Sequence, residues 1–392
     1  MTPSVYLDHA ATTPVAPEVL EAMLPYYREC WGNPSSIHGF GRQAAEGVQA
    51  ARERVAALLG ATPNEIIFTS GGTEADNLAI FGAALAKEGK GKHLLTSAVE
   101  HHAVSHATAA LEKRGWEVTY LPVDGGGRVD PEAVRAALRP DTVLVTIMHA
   151  NNEVGTVQPI AEIGALCRDA GVWLHTDAVQ SVGHIPTPVG ELHADMLSLS
   201  GHKLYGPKGV GALYLRKGVR IKPLFYGGGH ERNLRSGTEN VPGIVGLGRA
   251  AELAMAEMAG EAARQAALRD KLIDGILARI PDSFATGSRE HRLPNNASVS
   301  IKYIEGEAQL LRLDAVGIAA SSGSACTSGS LDPSHVLLAM GIPVEFAHGS
   351  LRFSLGRGTT EAEIDYVLEQ LPPIVETLRA MSPFKAGAPF PS

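Results

Sequence analysis

The chain has 392 residues, of which 44% are apolar and 19% charged, with a formal net charge of -8. At roughly 150 residues per domain this length fills two to three cores, and the ordinary apolar share excludes a mainly disordered chain. The acidic balance excludes the phosphate-backbone affinity of a basic nucleic-acid binder, and no apolar run reaches the ~20 residues that a membrane span needs.

Taken in chain order, residues 66–69 (IIFT) read as a strand that runs into Ser70-Gly71-Gly72-Thr73 and a helix over 74–87. Strands follow at 93–96 and 143–148. A helix over 160–170 leads to a strand at 172–176, and strands at 196–199 and 210–215 complete the set. Continuous apolar strands alternating with helices predict an α/β fold with a parallel-rich sheet covered on both faces. From Val241 the pattern changes to an Ala-rich helical stretch over 243–280, interrupted by glycine. Beyond it lie a strand at 297–303, a helix over 307–313 and a short apolar run at 318–320. A run of small residues around Cys326, a strand at 350–354 and a final helix over 361–380 follow. The pattern predicts a large α/β domain and a smaller α+β domain that recruits the N-terminal dozen residues. The Gly/Pro-rich stretch 385–392 reads as a frayed tail.

Cys30, Cys167 and Cys326 are too few and too dispersed for a disulfide framework, and no CxxC marks a zinc site. The start, MTPSVYLDHAATTP, has no signal-peptide pattern. A reducing compartment, the cytoplasm, is therefore expected. Cys30 and Cys167 read as packing residues. Arg52-Glu53-Arg54 and Glu112-Lys113-Arg114 read as solvated helix faces, and Tyr26, Tyr27 and Trp31 as packing or as a dimer contact.

Three local signals carry chemistry. Ser70-Gly71-Gly72-Thr73 stands between a strand and a helix, where glycines admit an anion to free N–H groups. An ordinary turn would read the same. His175-Thr176-Asp177-Ala178-Val179-Gln180 closes an apolar strand, and an acid there can pair with a cationic ring nitrogen or cap the next helix. Ser200-Gly201-His202-Lys203 follows another strand, and a desolvated lysine amine can form a Schiff base. A phosphate cradle, an acid and a lysine on one sheet edge are what pyridoxal phosphate requires.

With these motifs the chain resembles the cysteine desulfurases, pyridoxal-phosphate enzymes of the aspartate-aminotransferase-like fold (fold type I). The shared stretches are YLDHAATTP, TSGGTEADNLAI, NNEVG, HTDAVQSVG, SGHKLYGPKGVGALY, GGGHERNLRSGTEN, SSGSACTSGSLDPSHV and RFSLGR. SSGSACTS is similar to the branch whose nucleophilic cysteine rides a long mobile loop, and several details look most like the nitrogen-fixation (NifS) type. The housekeeping type is the near alternative. The resemblance implies a mostly parallel seven-stranded sheet. It implies a large cofactor domain over 15–257, a smaller domain from 1–14 and 258–384, and a flexible tail over 385–392.

The resemblance also implies roles. Lys203 holds the cofactor as a Schiff base and later moves the Cα proton. Asp177 keeps the ring nitrogen protonated, Gln180 bonds the phenolic oxygen, and His101 stacks on the ring and can shuttle a proton. Gly72, Thr73, Ser200 and His202 cradle the phosphate. Thr238 reaches the phosphate from the other subunit of a homodimer. Asn152 and Arg352 meet the substrate carboxylate, and Cys326 is the nucleophile. The expected reaction takes sulfur from L-cysteine, giving L-alanine and a persulfide on Cys326. An iron–sulfur scaffold protein is the expected acceptor, with a transient iron–sulfur contact at Cys326. A selenocysteine lyase or another aminotransferase of this class is the alternative.

Overall fold

The structure, a computed structural model, describes residues 4–322 and 333–382; Cys326 and the 385–392 tail lie outside the described residues. The strands are β1 (Val5–Tyr6), β2 (Ile66–Thr69), β3 (His93–Ser97), β4 (Glu117–Leu121), β5 (Thr142–Thr146) and β6 (Trp173–Asp177). They continue with β7 (Met196–Ser200), β8 (Gly211–Leu215), β9 (Ser283–Ala285), β10 (Asn296–Ile301), β11 (Ile318–Ala319) and β12 (Ser350–Ser354).

Seven of these form one sheet in the order β2-β8-β7-β6-β5-β3-β4. Neighbours from β7 to β4 pair in parallel, and β8 runs antiparallel to both β2 and β7. Side chains alternate across this sheet, as a two-residue period requires. Ile66, Phe68, Leu95, Val145, Leu174 and Leu197 enter a core shared with the helix Gly39–Leu59. Ile67, Leu94, Leu144, Met196 and Leu213 enter a second core under the helices Gly72–Lys87 and His102–Glu112.

β4 belongs to the sheet although the apolar-run reading passes over it. Its sequence, EVTYL, lies on the sheet edge with only Leu121 buried, so no continuous apolar run marks it. The Ala-rich stretch is also different from expectation: it is one unbroken helix, Val241–Arg279, of 39 residues. Most of its glycines, though not Gly260, stand at close contacts. A Cβ on Gly248 would stand 2.5 Å from Ala51 Cα, so two helix backbones meet there. The first half of this helix packs into the sheet core through Leu247, Ala250 and Ala254. The second half packs through Leu272, Ile273 and Ile276 into a separate core with β10, β12 and the helix Glu361–Met381.

That second core also holds the start of the chain. β1 pairs in parallel with β11, and Asp8 bridges to Ser354 of β12. The three-stranded sheet there has the order β12-β10-β9. Arg52 is a correction to the solvated-face reading. Its guanidinium forms a fork on Glu231, at 2.7 and 2.8 Å, and lies over the Phe68 ring. Among the described residues, no helix is long and apolar enough to cross a membrane.

Candidate active site

The C-terminal ends of β2, β3, β5, β6 and β7 lie on one edge of the sheet, where open α/β folds leave a crevice. A cavity of about 190 Å³ opens there, lined by Gly72, Thr73, Asp76, His101, Asn152, Asp177, Gln180, Ser200, His202 and Lys203 among others. Gly72 and Thr73 begin the helix Gly72–Lys87, whose N-cap makes no side-chain hydrogen bond. Its first N–H groups and positive dipole end therefore serve the cavity. Position 72 needs glycine because a Cβ would stand 2.6 Å from Val179 Cγ2.

Lys203 ends the short 3-10 turn Gly201–Lys203 that follows β7. Its Nζ donates to the carbonyls of Ala10 and Ala11. Gln180 Nε2 donates to the same Ala10 carbonyl at 3.0 Å. His202 Nδ1 lies 3.1 Å from Thr12 Oγ1, and the Thr13 N–H donates to the His202 carbonyl at 2.9 Å. The N-terminal strand thus continues as a strap across the lysine turn. Asn152 lines the cavity, and its carbonyl accepts from Arg352 Nη1 at 2.9 Å. Arg352 is buried, and its Nη2 pairs with Asp8 Oδ1 at 2.9 Å.

His101 caps the helix His102–Glu112: its Nδ1 accepts from the Ala103 N–H at 3.1 Å. Burial first, then the charge of Lys203, pushes its pKa down to about 4. The ring is therefore neutral at pH 7 with its proton on Nε2, so His101 is a donor into the cavity. Asp177 accepts from the Val179 N–H at 2.9 Å. Burial raises its carboxyl to about 6, while that hydrogen bond and Lys203 pull the other way. His202 is held down to about 4 by burial and by Lys203.

Every expected cofactor residue except Thr238 lines this cavity. Thr238 is exposed and lines no part of it. Cys326 lies outside the described residues. Several participants escaped the motif reading. Asp76 lines the cavity one helical turn beyond Gly72, a spacing that could have flagged it. The Ala10 and Ala11 carbonyls and Asp8 have no local signal, because their partners lie far along the chain. The donor set suits pyridoxal phosphate: an anion cradle of helix N–H groups, Ser200 and His202, an amine, and a buried acid for a cationic ring.

The family model for class-V aminotransferases matches residues 5–367. A protein of Dictyoglomus turgidum named cysteine desulfurase IscS is 55% identical over 385 residues, covering 98% of each chain. One of Methanosarcina thermophila with the same name is 57% identical over 380 residues, 97% of this chain and 94% of its own. A solved structure described as a NifS-like protein superposes with a TM-score of 0.91 at 42% identity, over 96% of this chain and 100% of that one. A NifS-like protein of Rickettsia africae gives 0.86 at 32% identity, over 95% of this chain and 100% of its own.

Proposed function

The chain belongs to the class-V aminotransferase family as one of its cysteine desulfurases, and on that premise we propose how its own residues carry the reaction. The observation that carries the proposal is a lysine, a buried acid and a helix N-terminus converging on one cavity. Lys203 would hold pyridoxal phosphate, Asp177 would face its ring nitrogen, and Gln180 its phenolic oxygen. Gly72, Thr73, Ser200 and His202 would cradle its phosphate. When bound, the cofactor supplies an electron sink for the substrate's Cα.

The residues then divide the work. Arg352 and Asn152 orient the carboxylate of L-cysteine. The Lys203 amine, once free, takes the Cα proton and returns one. Neutral His101 donates from Nε2. The Cys326 thiolate attacks the substrate sulfur: an S–S bond forms as the substrate's C–S bond breaks. The three-carbon remainder takes up a proton and leaves as L-alanine, and Cys326 keeps the sulfur as a persulfide.

We read the further assignments the same way. The cofactor domain is residues 15–257, and residues 1–14 with 258–384 form the smaller domain. Exposed Thr238 reaches the cofactor phosphate of a second copy in a homodimer. An iron–sulfur scaffold protein, housekeeping or nitrogen-fixation, accepts the sulfur, and Cys326 meets iron only in transfer. Free Cys30 and Cys167 fit the cytoplasm.

The test is alanine release from L-cysteine with a reductant, alongside an absorbance spectrum. Cys326→Ala is expected to keep the bound-cofactor colour and to lose alanine production by at least ~100-fold, as loss of a covalent nucleophile does. A coloured variant that still makes alanine would point to the selenocysteine lyase or aminotransferase reading.

A further inference from the structure

Asp76 is a buried carboxyl that the reaction above does not use. It is 1% exposed, lines the cavity beside Asp177, and its Oδ1 has no hydrogen-bond partner. His175 and Asp177 stand two apart on β6 and point to the face covered by the helix Gly72–Lys87, which carries Asp76. His175 Nε2 lies 3.6 Å from Asp76 Oδ1, too long for a hydrogen bond. The imidazole is already engaged: Nδ1 meets Thr146 Oγ1 at 2.8 Å and Nε2 meets Ser198 Oγ at 2.9 Å. Burial holds His175 neutral, with a pKa of about 3, so it offers Asp76 no positive charge.

The other groups facing Asp76 make its ionisation worse. Burial comes first, then the charge of Asp177, with Glu100 adding a little; only a hydrogen bond from Ser198 opposes them. Asp177 has better support, from the Val179 N–H and the Lys203 charge. Two buried carboxyls that line one cavity repel each other's charge, and the better-supported one is the easier to ionise.

We propose that Asp76 is a positioning residue that works as a neutral acid, keeping the cavity's single carboxylate charge on Asp177. This rests on the reading of Asp177 as the partner of the cofactor ring. A neutral acid can be replaced by an amide of the same shape, whereas an anion cannot.

The experiment compares Asp76→Ala and Asp76→Asn in the full-length holoenzyme. Cofactor release is followed by loss of bound absorbance on dilution, and thermal stability is measured beside it. Asp76→Ala is expected to release the cofactor ~10-fold faster or more, since it removes the neutral polar group beside the buried Asp177 charge. Asp76→Asn is expected to stay within about twofold of the parent, since it keeps a neutral donor. An infrared difference spectrum between Asp76→Asn and the parent is expected to show loss of a protonated-carboxyl band at neutral pH. If Asp76→Asn releases cofactor as fast as Asp76→Ala and no such band is lost, Asp76 acts as an anion and the proposal is wrong. If Asp76→Ala lowers only thermal stability, the residue merely fills space and the proposal is equally wrong. Asp177→Asn separates the two readings: unchanged cofactor absorbance there sinks the ring assignment, while the infrared difference between Asp76→Asn and the parent, both with Asp177 intact, still reports on Asp76.

Discussion

Arg352 shows how a side chain's free donors define its task. A guanidinium has five N–H groups in a rigid fork. Here Nη2 serves Asp8, Nη1 serves the Asn152 carbonyl, and the buried Nε has no hydrogen-bond partner. Asp8 holds one arm of the fork, and in the proposed assignment the remaining donors meet the substrate carboxylate. Arg352→Lys removes that fork, so KM for L-cysteine is expected to rise ~10-fold or more with a smaller change in kcat, read from initial rates. Lys203 and Asp177 were legible as cavity residues because each stands in a local motif at a strand end, whereas His101, also in the cavity, came from the family resemblance. The Asp8–Arg352 pair was not legible, because its members are 344 positions apart and neither shows which partner the fold brings.

Elements were legible where their periodicity matched their burial. Six strands of the main sheet carry continuous apolar runs, so their existence was plain. Edge strand β4 buries only Leu121 and carries no such run. The long helix misled for another reason: glycine lowers helix propensity, but at Gly248 it is required by the contact with Ala51. Gly260 is different. It is exposed in mid-helix, and a Cβ there would meet nothing within 4 Å. Gly260→Ala is therefore expected to stabilise the protein by ~0.5–1 kcal/mol, through lower backbone entropy in the unfolded chain. A shift of the urea midpoint at constant slope would verify it; an unchanged midpoint would mean the helix gains nothing from alanine there.

For the whole molecule, buried ionisable groups set the response to pH. Burial keeps His149 at about 4 and His175 at about 3, against about 6.5 in an unfolded chain. Between those values the unfolded state binds protons that the folded state refuses, so stability rises with pH up to about 6.5. Glu100 and Glu153 work in the opposite sense. Burial raises them to about 8 and about 7, against about 4.3 unfolded, so the folded state holds protons that the unfolded state has lost. Their contribution declines from about pH 4.3 up to those folded-state values and is level above about 8. The two pairs offset each other between about pH 4.3 and 6.5, so the melting temperature of the cofactor-free protein is expected to be level there and to fall between about 6.5 and 8. A melting temperature still climbing at pH 9 would contradict this balance of buried groups.

The strap across the lysine turn has a consequence for how the protein comes into being. Residues 5–13 leave the ribosome long before their partners, β11, Arg352 and Ser354. The main sheet can assemble while synthesis continues, but the lysine turn waits for its cover until β12 is made. Contacts of such separation are slow to close, because loop entropy is lost before they repay it. A nascent chain arrested before Ser350 is expected to carry Lys203 and Asp177 with the strap over the lysine turn still unanchored.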